Sequence, residues 1–302
     1  MSAPDIHDGE TGFDRTLLFT VPDRDARGRV VRLGPVLDRI LSAHAYPAPV
    51  KHLLAEALVL TALLGSLLKD EQGQLTMQAQ TREGVIDLLV CDYRGGELRG
   101  YARFDKARLD ELGPAPTLHA LFGDGYLAVT FDLPSTDQRY QGIVPLEGSC
   151  LAEACEAYFL QSEQVPTLIR SAVRHDASGC VGGGLLLQHL PEGEEGRERL
   201  HARLDHPQWE HIATMGGSVK AEELLDPALS MESIAWRLFH EEREVRVERG
   251  PALERGCRCT VEHYRSILSR FPESERAEMR NEDGVIVVDC AFCSRDFAID
   301  LD

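Results

Sequence analysis

The chain has 302 residues, 43% of them apolar, 27% charged and 6% aromatic, with a formal net charge of −18. That length suits one large domain plus something smaller. The acidic balance argues against a nucleic-acid partner, because phosphate binding needs clustered Lys and Arg. Met1 to Thr20 has no basic stretch leading into an apolar core, so no export signal is read there, and a cytoplasmic protein is expected.

Arg27 to Leu33 reads as a short strand with a polar face, and Pro35 to Ala43 as a helix carrying Val36, Leu37, Ile40 and Leu41 at helical spacing. Pro47 and Pro49 open a longer helix to about Lys69, apolar around much of its girth and so expected at the centre of a fold. Its least charged part, Ala57 to Leu68, is too short to span a bilayer, so no membrane partner is expected. Leu75 to Gln80, Val85 to Asp92 and Leu98 to Phe104 are strand-like runs linked at Glu83-Gly84 and Gly95-Gly96. Tyr126 to Phe131 and Arg139 to Val144 read the same way, and Cys150 to Gln161 as a helix. The expected fold class is α+β, an N-terminal antiparallel sheet packed with helices over residues 1–191.

From Glu192 to Arg255 the composition changes, with 24 of 64 residues charged. Ser230 can cap a helix through Ile234, Leu238 and Phe239, and Val245 and Val247 alternate like a short strand. Residues 192–255 therefore form a charged, partly helical linker, either of low intrinsic stability or an ordinary solvated arm. Residues 256–302 form a small C-terminal domain. Thr260 can cap a helix bearing Val261, Tyr264, Ile267 and Leu268, and Pro272 can open a second. Val285 to Val288 and the alternating Phe297, Ile299 and Leu301 read as two strands around a knuckle.

That last domain holds Cys257-Arg258-Cys259 and Cys290-Ala291-Phe292-Cys293. Two close pairs in a segment with little core of its own suit four thiolates on one tetrahedral Zn²⁺, one per chain. The same pairs could also close into two local disulfides. A plain structural zinc module and a redox centre both remain open on spacing alone. His263 is a competing ligand. Cys91, Cys150, Cys155 and Cys180 are expected as small buried core residues. A thiol oxidoreductase would use Cys290 and Cys293 catalytically, but such a pair ordinarily opens a helix beside a strand. A zinc-ribbon nucleic-acid binder conflicts with the acidic charge.

The chain resembles the redox-regulated 33 kDa heat-shock chaperones of bacteria. The marks run nearly end to end: Leu64 to Lys69, Leu98 to Tyr101, Leu121 to Gly123, Tyr140 to Val144, Gln161 to Gln164, and Gly182-Gly183 leading into Gln188 to Pro191. Leu238 to Glu242 and the two cysteine pairs complete them. Departures at Thr81 to Gly84, Thr260 and Phe271-Pro272 touch no ligand. The resemblance implies an ATP-independent holdase, not an enzyme, that binds unfolding client proteins and is inactive when reduced and zinc-bound. It implies that hypochlorous acid, or peroxide with heat, pairs Cys257 with Cys259 and Cys290 with Cys293. Zinc then leaves, the small redox-switch domain unfolds, the linker loosens, and the active form is a homodimer. Leu225, Ile234, Trp236 and Phe239 are candidate client contacts, with ordinary helix packing as the competing reading.

Overall fold

The structure, a computed structural model, describes residues 12–70, 72–190 and 205–301. Arg15–Val21 (β1) and Ala26–Leu33 (β2) pair antiparallel. Pro35 then stands in the first turn of α1 (Pro35–Leu41), where its missing N–H is no loss. Pro47 and Pro49 likewise start α2 (Ala48–Gly65). After α2 come β3 (Gln74–Gln80), β4 (Ile86–Arg94) and β5 (Glu97–Phe104). The β4–β5 turn uses Gly95 and Gly96, both at positive φ, which a tight two-residue hairpin with right-handed twist requires. Short helices α3 (Lys106–Glu111) and α4 (Leu118–Phe122) lead to β6 (Tyr126–Leu133) and β7 (Gln138–Pro145). Helix α5 (Leu151–Tyr158) closes in one π-helical turn and hands on to β8 (Thr167–Asp176) and β9 (Gly179–His189).

The strands form two large sheets rather than one meander. Sheet order β3–β7 is β5-β4-β3-β6-β7, and β1, β2, β9 and β8 form the other. Helix α2 lies between them, with Val59 and Leu63 against the glycines of β9 and Leu54 and Leu58 against Gly100 of β5. This explains its apolar girth. It is long and apolar enough to cross a membrane, but 78% of it is buried inside the fold. β1 and β8 are strands that the sequence reading passes over. The polar face expected for β2 is covered too: Arg32 is 1% exposed and donates to the carbonyls of Glu223, Leu224 and Leu229.

Those carbonyls belong to the charge-rich segment. Its described part holds α6 (Pro207–Gly217), α7 (Ala221–Leu225), α8 (Met231–Phe239) and β10 (Arg246–Ala252). Ser230 caps α8 as expected, accepting from the Ser233 N–H at 3.0 Å. The segment is packed rather than solvated. Trp209, Ile212, Leu224, Ile234, Leu238 and Phe239 bury against Leu17, Phe19, Val30, Leu185 and Leu187 of the sheet. Strand β10 adds to the edge of β1. Glu242, its side chain 8% exposed, clasps Arg24 at 2.9 Å and His211 at 2.7 Å. Of the four candidate client contacts, Leu225, Ile234 and Phe239 are buried here, and Trp236 is exposed. The residue 191/192 boundary lies outside the described residues.

Gly183 of β9 lets α7 approach closely. A Cβ there would stand 2.3 Å from the Leu224 carbonyl oxygen, which is backbone and can yield only if α7 moves. Gly183→Ala should therefore weaken this packing by about 1–3 kcal/mol and speed amide exchange across residues 221–239. Unchanged exchange there would contradict the close fit.

Candidate metal centre

The cysteine module begins where β10 ends. Leu253 N–H donates to the Asp14 carbonyl, β11 (Glu254–Arg255) runs beside β5, and Gly256 N–H donates to the Leu98 carbonyl. Cys257 and Cys259 follow in extended chain. Thr260 then accepts from the His263 N–H at 3.1 Å and caps α9 (Val261–Leu268), as its sequence position suggests. After α10 (Glu273–Met279), β12 (Ile286–Asp289) and β13 (Asp296–Ile299) pair antiparallel. The turn joining them is the second knuckle. Cys290 N–H donates to Arg295, and Cys293 and Ser294 N–H groups donate back to the Cys290 carbonyl.

These two segments bring all four sulfurs together. The Sγ atoms of Cys257, Cys259, Cys290 and Cys293 lie within 4.8 Å of one another. Cys257 is 3.0 Å from Cys259 and 3.5 Å from Cys290, and Cys259 is 3.4 Å from Cys293. A sulfur tetrahedron around zinc has edges of roughly 3.8 Å, whereas a disulfide is bonded at about 2.05 Å. All eight cysteines are free thiols. The spacing and the four-sulfur donor set fit a thiophilic ion, and the four residues could hold a metal. His263 is not part of this cluster; its ring packs beside Tyr264.

Sulfur makes most of the local core. Cys259, Cys290 and Cys293 are 4–7% exposed, with Tyr264, Phe292 and Phe297 packed on them. A second cluster adds only Leu268, Ile286 and Ile299 as fully buried apolar side chains.

Arg295, which sequence reading did not single out, reaches back to the cluster, its Nη2 3.6 Å from the Cys259 sulfur. Burial opposes ionisation of Cys293, but the Arg295 guanidinium, its backbone N–H and the neighbouring thiols outweigh it and hold that thiol down at about 6. Burial and the hydrogen bond shared with Cys259 push Cys257 up, and burial pushes Cys259 up. A negative charge is thus favoured at Cys293 in the metal-free cluster, while ionisation of Cys257 and Cys259 is resisted. The other cysteines differ. Burial pushes Cys91, Cys150 and Cys155 up, and Cys180 up to about 12. Cys91, Cys155 and Cys180 are buried as expected, while Cys150 is half-exposed at the start of α5.

A sequence model described as "Hsp33 protein" matches residues 14–300. The chain belongs to the Hsp33 family. A protein named 33 kDa chaperonin from Caulobacter vibrioides is 39% identical over 93% of both chains. Another from Ectopseudomonas mendocina is 38% identical over 93% of this chain and 90% of its own. The crystal structure of the 33 kDa chaperonin from Thermotoga maritima superposes with a TM-score of 0.77 over 95% of both chains, at 23% identity, and shares the fold. Hsp33 membership supports a chaperone, and the sulfur cluster fits a redox switch.

The lowered Cys293 thiol has a measurable consequence. In reduced, metal-free protein, thiolate absorbance should rise with a first midpoint near pH 6, below the usual cysteine range. Arg295→Ala removes the stabilising cation, so the midpoint should move upward. An unmoved midpoint would exclude Arg295 as the cause.

Proposed function

We propose that this chain is a redox-gated, ATP-independent holdase that captures unfolding proteins in the cytoplasm, as a homodimer when active, rather than an enzyme. One observation carries the reading: the C-terminal module is cored by the same four sulfurs that an oxidant would consume. Burying Leu268, Ile286 and Ile299 contributes roughly 5–9 kcal/mol. Zinc, one ion held by Cys257, Cys259, Cys290 and Cys293, would add about 10–16 kcal/mol and keep all four sulfurs as thiolates near neutral pH. In the reduced state the module and the linker stay packed.

The oxidant is a peroxide or hypochlorous acid. With peroxide, a thiolate attacks one oxygen, the O–O bond breaks, and hydroxide leaves as water on taking a proton. The neighbouring thiolate then attacks the sulfenic sulfur, the S–S bond forms, and hydroxide again leaves as water with a second proton. Each disulfide gives up two electrons to one peroxide, so four sulfurs reduce two. Cys257 pairs with Cys259, the closest sulfurs at 3.0 Å, and Cys290 with Cys293. Local pairing leaves no charged ligands and no link between the knuckles, so the module loses its core. Cross pairing of Cys257 with Cys290 and Cys259 with Cys293 would instead staple it shut. A thiol oxidoreductase is less supported, because Cys290 and Cys293 sit between β12 and β13 and not at a helix start.

Reduced, zinc-loaded protein should leave aggregation of a heat-unfolded client unchecked, and peroxide-treated protein should suppress it. Strong suppression by the reduced form would refute the gate. Cys290→Ser should lose most of its zinc affinity; wild-type affinity would contradict the ligand assignment. In a tryptic digest of oxidised protein, the peptide spanning 281–295 should be closed on itself. Finding it linked to 259–265 would refute the local pairing.

A further inference from the structure

The N-terminal domain presents a polar row beneath the cysteine module. Thr76, Asp92 and Arg99 stand opposite one another across β3, β4 and β5. Asp92, 3% exposed, accepts from Thr76 Oγ1 and from Arg99 Nε, each at 2.7 Å. The guanidinium so fixed lies over the ring of Phe292, its Cζ 4.1 Å from the ring centroid. Phe292 also packs on the sulfur cluster.

Two further contacts hold the knuckles to the same domain. His44 Nε2–H donates to the Ala291 carbonyl at 2.7 Å, which leaves Nδ1 to accept from the Ser294 hydroxyl at 3.0 Å. Arg258 Nη1 donates to Gln74 Oε1. All three residues enclosed within the cysteine motifs, Arg258, Ala291 and Phe292, are therefore gripped from outside the module.

We propose that this face of the N-terminal domain guards the sulfurs. Arg99, His44 and Gln74 pin the two knuckles, Phe292 is the shield, and the thiolates of Cys290 and Cys293 oxidise only as fast as the module lifts from the face. The inference rests on the redox reading above and adds what sets its rate. Cys290 and Cys293 are 4% and 7% exposed whereas Cys257 is half-buried, so it is at the Cys290–Cys293 pair that a peroxide must first gain access. On the Phe292 side, that access opens when the ring leaves Arg99. A cation–π contact of this kind biases its groups toward contact by about 2- to 30-fold. The oxidation itself is the two-electron pairing already described, with peroxide as electron acceptor.

The test uses the full chain, reduced and zinc-loaded, at one fixed hydrogen peroxide concentration. Arg99→Lys keeps a cation for Asp92 but removes the planar group that lies on the ring. His44→Ala removes the second hold. Thiol loss is followed by mass spectrometry of quenched samples, and docking by amide exchange of residues 286–299. The double variant should oxidise about 5- to 30-fold faster than wild type, with faster exchange in that segment, the same zinc affinity and the same disulfides at the end. Wild-type oxidation rates in the double variant would overturn the proposal. If Arg99→Lys does not fold, Phe292→Leu, which leaves the Arg99–Asp92 pair intact, carries the test with the same expected acceleration and the same refuting result. A failure of the redox reading would show separately, as unmutated protein that oxidises without gaining chaperone activity.

Discussion

Four sulfurs drawn from two knuckles 33 residues apart must sit within 4.8 Å of one another. Thiolates at that distance repel, so the arrangement needs either protons or a cation among them. The module around them has too few apolar side chains to hold the knuckles together without that compensation. On the proposed reading its fold is conditional on the state of its sulfurs. The rest of the chain is a short covalent distance away: β10 ends at Ala252, and Cys257 follows after Leu253, two residues paired with β5 and one hydrogen-bonded glycine.

The described part of the charge-rich segment is held along its length. Its helices bury an apolar stripe on β1, β2 and β9, β10 completes the sheet beyond β1, and Arg32 spends its donors on three linker carbonyls. A buried guanidinium whose hydrogen bonds go to neutral carbonyls is a costly arrangement, offset in part by the nearby Asp226 carboxylate. The sheet residues under the linker, Leu17, Phe19, Val30, Leu185 and Leu187, form a continuous apolar face. On the proposed reading, uncovering it provides a surface for other chains.

Much of this was readable in the residues. Helical periodicity and proline starts placed α1 and α2, Glu83-Gly84 and Gly95-Gly96 placed the β3–β5 hairpins, and Thr260 and Ser230 marked their helices because capping is local chemistry. Cysteine spacing picked out the four sulfurs that the fold brings together. The failures have physical causes. β8 carries Arg170, Arg174 and His175 among few buried side chains, so alternation is weak. The short strand read at Val245 and Val247 is there from Arg246 as β10, but its run on to Ala252 was hidden, because an edge strand is held by its backbone and leaves its side chains exposed. Average charge over residues 192–255 concealed Trp209 and Ile212, whose burial depends on a sheet far away in sequence. Arg99, His44 and Arg295 near the sulfurs were invisible, since contacts of that range leave no local pattern.

The central claim is that the state of the cysteines decides whether the linker stays on the sheet. Amide hydrogen exchange on one full-length sample, before and after peroxide treatment, tests it most directly. The account predicts that oxidation abolishes protection in α6, α7, α8, β10 and the module, while α2 and β3 to β7 stay protected. Undiminished protection of α6 to β10 in protein whose four cysteines are fully paired would contradict it.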